Sequence, residues 1–202
     1  MDCRLGSLCR QMNGRLESQC KDTKNKSMAE KKNAISYESI MKDLKARKFA
    51  PVYVLMGDEP FYIDKICDYI AENVLQPEER DFNQTVLFGA DTTAVQVVDQ
   101  CKGYPMMAEF RVVIVKEAQN LKSLDALEKY LEKPVKSTVL VICNKNGSID
   151  RRKKFIPRAE QVGVVFESKK LYDRQLPGFI ETYLKARKAT IEPKAVQMVA
   201  DH

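Results

Sequence analysis

The sequence predicts an α/β fold, with helices covering both faces of a mostly parallel five-stranded sheet, followed by the start of a small helical domain. Three observations carry this. Short apolar runs rich in β-branched residues alternate with segments of helical periodicity, the order from which parallel sheets with right-handed crossovers are built. The run Thr138 to Cys143 (TVLVIC) is apolar without interruption, as a strand buried on both sheet faces requires. After about Ser168 the strand signal stops and only helical patterns follow.

The elements follow in order. From Ser36 to Lys48, apolar Tyr37, Ile40, Met41 and Leu44 recur at spacings of three and four, which marks an amphipathic helix. Val52 to Met56 is the first strand and ends at Gly57; Pro60 to Leu75 reads as helix. Gln84 to Phe88 and Arg111 to Lys116 are the next strands, with a helix over Thr92 to Lys102 between them. A helix over about Leu121 to Glu132 leads to Thr138 to Cys143, and a basic helix near Arg151 to Gln161 precedes the last strand, Val164 to Glu167. Helices over Gln175 to Lys188 and Pro193 to Asp201 complete the chain, Thr190 and Pro193 marking the start of the second. The expected organisation is therefore a leader over 1–27, an α/β domain over 28–168 and the start of a helical domain over 169–202. The leader is polar and without periodicity, so it is expected to be disordered. Met28-Ala29-Glu30 reads as a second, more natural beginning, and the apolar-periodic helix at the end of the chain reads as part of a longer protein.

With 202 residues, 44% hydrophobic and 31% charged, the chain has enough apolar content for a substantial core. No stretch approaches the roughly 18 consecutive apolar residues of a membrane span, and the N-terminus lacks an apolar signal region. A cytoplasmic protein is expected. Of six cysteines, Cys67, Cys101 and Cys143 lie singly in apolar segments and read as buried free thiols. Cys3, Cys9 and Cys20 lie in the leader at gaps that match no zinc or redox spacing. Residues 1–27 hold six Lys/Arg against three Asp/Glu, so half of the formal charge of +6 sits in the leader and the rest of the chain is only mildly basic.

Pro51 to Lys65, PVYVLMGDEPFYIDK, has the strand, turn and helix order of a phosphate-binding loop. It lacks the chemistry. A working loop needs G-x-x-x-x-G-K-[ST], whose backbone N–H groups surround the phosphates. Here Asp58 and Glu59 put carboxylates in that place, no second glycine follows, and Ile63-Asp64-Lys65-Ile66 has no Lys-Ser/Thr pair. An ordinary strand and turn, with acidic residues favoured at a helix N-terminus, accounts for the stretch equally well. At the end of the third strand, where a nucleotide hydrolase holds magnesium with Asp-Glu, the chain has Lys116-Glu117. Asn144 stands where a hydrolase uses a polar sensor, and Asn after a strand is also plain turn chemistry. The only histidine is His202, so no Ser-His-Asp or Cys-His arrangement is available. No cofactor or metal site is expected.

The segment Lys102 to Arg111, KGYPMMAEFR, is the second unusual feature. Gly103 and Pro105 end the preceding helix, yet the connection is apolar, against the usual rule. Adjacent Met106 and Met107 diverge by about 100° in a helix or turn and cannot both enter one core easily. Two readings are open: plugging of the core under the sheet edge, or a solvent-facing apolar knob for a partner's pocket, a task that suits flexible, polarisable Met. The basic runs Arg151-Arg152-Lys153-Lys154 and Lys185, Arg187, Lys188 read as solvated helix faces or as DNA-phosphate contacts.

From Ser36 to His202 the chain resembles the delta subunits of bacterial DNA polymerase III clamp loaders. The resemblance rests on the leading helix followed by PVYVLMGDEPFYIDK, on YPMMAEFRVVIVKEA (Tyr104 to Ala118), on TVLVICN (Thr138 to Asn144), and on the switch to helices near Leu171. It implies an AAA+-like three-layer domain with a degenerate nucleotide site, followed by a helical lid-like domain. It also implies a clamp-loader subunit in DNA replication that binds the beta sliding clamp and helps open the ring for loading on primed DNA, without hydrolysing ATP itself. Delta-prime and gamma/tau subunits would join through a further C-terminal domain. By position the resemblance implies that the clamp-binding pair is Met106 and Met107, where relatives often carry Leu or Phe, and that Tyr104, Ala108 and Phe110 are expected to shape the knob. Two rival functions come from other classes: a nucleotide-dependent enzyme with an atypical phosphate loop, and a DNA-binding module using Arg151 to Lys154.

Overall fold

The computed structural model describes residues 35–202 apart from Arg152, Leu171, Ala186 and His202. The leader, with Cys3, Cys9, Cys20 and Met28, lies outside the described residues. Helix α1 (Tyr37–Lys45) begins at Ser36, whose hydroxyl accepts the Ser39 N–H at 3.2 Å. It buries Ile40 and Leu44 and leads to β1 (Val52–Gly57), in which every residue except Gly57 is apolar and all are buried. Helix α2 (Pro60–Asn73) follows with Pro60 at its first position, where the missing N–H loses nothing. A short α3 (Pro77–Asn83) precedes β2 (Gln84–Phe88), and α4 (Ala94–Lys102) precedes β3 (Arg111–Lys116). Next come a 3-10 turn at Ala118–Asn120, α5 (Asp125–Tyr130), β4 (Thr138–Lys145), α6 (Phe155–Val162) and β5 (Val164–Ser168). Helices α7 (Leu176–Lys185) and α8 (Pro193–Ala200) complete the chain.

The five strands form one sheet in the order β2-β3-β4-β1-β5, and every strand pair is parallel. Alternate residues therefore build two cores. Val52, Val54 and Met56 of β1 face α4, α5 and α6, where Val97, Cys101, Leu127, Phe155 and Ile156 pack on them. Tyr53 and Leu55 face the other way, against Ile40 and Leu44 of α1 and Ile63, Ile66 and Ile70 of α2. Burying one such side chain contributes about 1.5–3 kcal/mol, so the double-sided sheet is the dominant source of stability. Helix α7 joins through rings: Phe179 and Tyr183 lie 5.9 and 5.7 Å from the Phe61 ring of α2.

Three elements differ from expectation. Helix α3 has no apolar face, so periodicity does not find it. Pro77 at its start and the Glu79 carboxylate, which accepts the Gln76 N–H at 2.9 Å, define it instead. The helix expected over Leu121 to Glu132 contracts to Asp125–Tyr130. The helix expected from Arg151 begins only at Phe155, which leaves Arg151, Lys153 and Lys154 in the connection before it.

Candidate functional site

All strands run the same way, so the molecule has two distinct rims. The connection from α4 to β3 lies at the rim where strands begin; the turn after Gly57 lies where they end.

At the first rim, α4 stops at Gly103. A Cβ there would stand 2.9 Å from Nη1 of Arg111, whose guanidinium donates to the Gln100 carboxamide at 2.7 Å. Glycine lets that side chain pass. The next residues divide into two groups. Ala108 and Phe110 are half-buried against the α1–α2 core, and the Phe110 ring meets Phe49 edge-on at 5.6 Å. Tyr104, Met106 and Met107 point outward, with 86%, 60% and 100% of their surface exposed. The core-plugging reading thus describes Ala108 and Phe110, and the solvent-facing one describes the methionine pair. Met107 adopts a left-handed backbone, φ 54°, uncommon for a residue with a side chain.

Sequence reasoning missed the residue that holds this turn. Asn83, at the end of α3, is fully buried. Its Oδ1 accepts the Met106 N–H at 2.6 Å while its Nδ2 donates to the Met106 carbonyl at 2.9 Å and to the Glu79 carbonyl at 3.1 Å. Nothing in the sequence marks it, because Asn at a helix end is ordinary and its partner lies 23 residues away. Phe82 beside it, and Val86 and Phe88 on the edge strand β2, are exposed apolar residues on the same side of the sheet order.

At the opposite rim the amides of the β1 turn are engaged. Gly57 donates its N–H to the Gly147 carbonyl at 3.0 Å, and Asp58 to the Ser168 carbonyl at 3.3 Å. The Glu59 carboxylate accepts the Phe61 N–H at 3.2 Å and so caps α2. Asn144, buried, donates to the same Gly147 carbonyl at 2.9 Å. Lys145 reaches Asp64 with Nζ 2.6 and 2.9 Å from its two carboxylate oxygens, and this hydrogen bond raises the lysine pKa. A hollow of about 670 Å³ beside the turn is lined in part by Gly57, Asp58, Lys169, Lys170 and Arg174.

The basic runs are partly neutralised. Arg151 pairs with Glu167 at 2.6 Å and Glu160 at 3.3 Å. Arg187 stacks over the Tyr183 ring, 3.6 Å from its centroid. Cys67, Cys101 and Cys143 are buried free thiols. Among the described residues no cluster of His, Cys, Asp and Glu could hold a metal ion, and no helix is long and apolar enough to cross a membrane.

The DNA polymerase III subunit delta of Bacillus subtilis (strain 168) is 27% identical over 168 residues, covering 78% of this chain and 48% of the relative. The structure of the Bacillus subtilis DNA clamp loader delta protein (YqeN) superposes with a TM-score of 0.68 at 26% identity, covering 81% of this chain and 51% of that one. The chain thus has the three-layer α/β fold of that protein, and spans about half the length of each relative. The family model described as DNA polymerase III, delta subunit, matches residues 53–169, from the first strand to the end of the last, and the chain belongs to that family.

Proposed function

We propose that the chain is a non-catalytic, clamp-opening subunit that binds the beta sliding clamp through Met106 and Met107, with Tyr104, Ala108 and Phe110 shaping the tip. The observation that carries this reading is the methionine pair itself: two adjacent apolar side chains, 60% and 100% exposed, on a backbone clasped by a buried residue. Isolated exposed apolar residues are common, but a neighbouring pair held outward needs a partner to remove it from water. Membership of the delta-subunit family supports reading that partner as the sliding clamp, a ring that encircles DNA. Such a subunit works by differential binding, since only a tighter grip on the opened or distorted interface than on the closed one shifts the ring toward opening. ATP is consumed by other subunits. Contacts with delta-prime, gamma/tau and primed DNA, and a cytoplasmic location, belong to the same reading.

Burying one Met contributes about 1.5–3 kcal/mol, so losing both should weaken clamp binding by on the order of a hundredfold or more. Replacing Met106 and Met107 together by Ala, with far-UV circular dichroism and thermal unfolding as controls, is expected to abolish capture of the chain by immobilised clamp. Capture at wild-type affinity by the folded double variant would show that the interface lies elsewhere.

A further inference from the structure

We infer that Asn83 is the positioning residue of the clamp-binding tip: its buried carboxamide sets the Met106 backbone so that both methionines face outward before any partner arrives. The inference rests on the clamp-binding reading and deepens it.

The two bonds to Met106, one accepted from its N–H and one donated to its carbonyl, reproduce on one residue the two-way pairing of a strand bridge. The third, to the Glu79 carbonyl, ties the carboxamide to its own helix. Asn83 has no exposed surface, so turning Met106 inward would break both bonds and leave the buried carboxamide oxygen without its partner, with the Nδ2 keeping only the Glu79 carbonyl. With Met106 fixed, Met107 follows in the left-handed conformation with its side chain fully in solvent. Methionine has three rotatable side-chain bonds, and ordering a flexible tip on binding would cost affinity. A backbone set in advance reduces that cost. An amide is the group required here: a carboxylate would accept from the Met106 N–H but repel the Met106 and Glu79 carbonyls, and leucine, of similar size, would make none of the bonds.

The 202-residue chain is compared as wild type, Asn83→Asp, Asn83→Leu and Met106→Ala/Met107→Ala, each passed through circular dichroism and thermal unfolding. Two quantities are read: affinity for immobilised sliding clamp, and hydrogen exchange of the residue-106 amide by NMR. The Asn83→Leu variant is expected to lose on the order of tenfold in clamp affinity with faster exchange at residue 106. The Asp variant, which keeps one of the two bonds, should fall between it and wild type. The double methionine variant should do the reverse, losing the clamp while its residue-106 amide stays protected, because the clasp holds backbone and not side chain. Folded Asn83 variants with wild-type clamp affinity would overturn the positioning role while leaving the clamp reading intact. Wild-type affinity in the double methionine variant would overturn both. Should neither Asn83 variant fold, wild type alone still decides: the Met106 amide, held by the Asn83 carboxamide, must exchange much more slowly than the Met107 amide next to it, and equal rates overturn the proposal.

Discussion

Two residues with positive φ mark the two rims, and they illustrate why one must be glycine and the other need not be. At Met107, φ is 54° and the side chain projects into open solvent, so the left-handed backbone costs about 1 kcal/mol and meets no obstacle. At Gly57, φ is 131°, and a Cβ would lie 2.0 Å from the Ser168 carbonyl oxygen and 2.5 Å from its hydroxyl. That contact cannot be relieved by a rotamer change, because the first obstacle is backbone. Gly57→Ala is therefore expected to destabilise the fold by about 2–6 kcal/mol, combining conformational strain with overpacking. Thermal or urea unfolding measures it, and a loss below about 1 kcal/mol would mean that β5 can slide away from the turn. The methionine pair was legible in the sequence because apolar neighbours in a connection contradict the rule for loops. Asn83 was not, since its role depends on a contact that only the folded chain brings together.

The elements legible from periodicity were those with an apolar stripe or an unbroken apolar run. Helix α1 shows its buried Ile40 and Leu44 four residues apart, and β4 shows seven consecutive buried residues. Helix α3 escaped because PEERDFN has a single large apolar residue, Phe82, and no apolar stripe, and owes its form to proline, a glutamate cap and the attachment of Asn83. Helix α4 has a consequence for pH. It packs Ala94, Val97, Val98 and Cys101 on the sheet, and burial pushes the Cys101 thiol up to about 12. Burial likewise pushes the facing Tyr130 hydroxyl up to about 12, and Cys143 is raised by its contact with the Cys67 thiol and by its own burial. These groups are neutral in the fold, whereas in the unfolded chain a thiol ionises near its ordinary 9.0. The stabilisation from Cys101 and Tyr130 is complete below that value and is lost as pH rises toward 12, because the unfolded state gives up its protons first. For Cys101 the loss is about 1.4 kcal/mol per pH unit within that window. The urea midpoint should fall between pH 8 and pH 10, and Cys101→Ala, compared with itself at the two pH values, should fall by less. An identical drop in both proteins would place the alkaline sensitivity in other groups.

On the scale of the whole molecule, the parallel sheet keeps the two rims a full strand length apart, so chemistry at one need not touch the other. The rim where strands end has the position of a phosphate site and even a hollow with Lys169, Lys170 and Arg174 nearby, which is the feature that favours the rival, nucleotide-dependent enzyme. Positive charge alone does not make such a site. Phosphate binding at a strand-to-helix turn relies on backbone N–H groups pointing at the anion, and here those of Gly57, Asp58 and Phe61 already have carbonyl or carboxylate partners. Asp58 and Glu59 would also stand against the phosphates, and Lys145, the lysine that ends β4, is held by Asp64. A titration of the chain with magnesium and ATP is therefore expected to give no saturable heat up to about 1 mM, the range in which a site worth only about 4 kcal/mol would appear. Clamp affinity measured with and without the nucleotide should be the same. Micromolar binding of ATP would favour the nucleotide-dependent enzyme, and the Gly57→Ala variant would locate the site: one at the β1 turn must disappear with that turn, whereas one on Lys169 and Lys170 alone would survive.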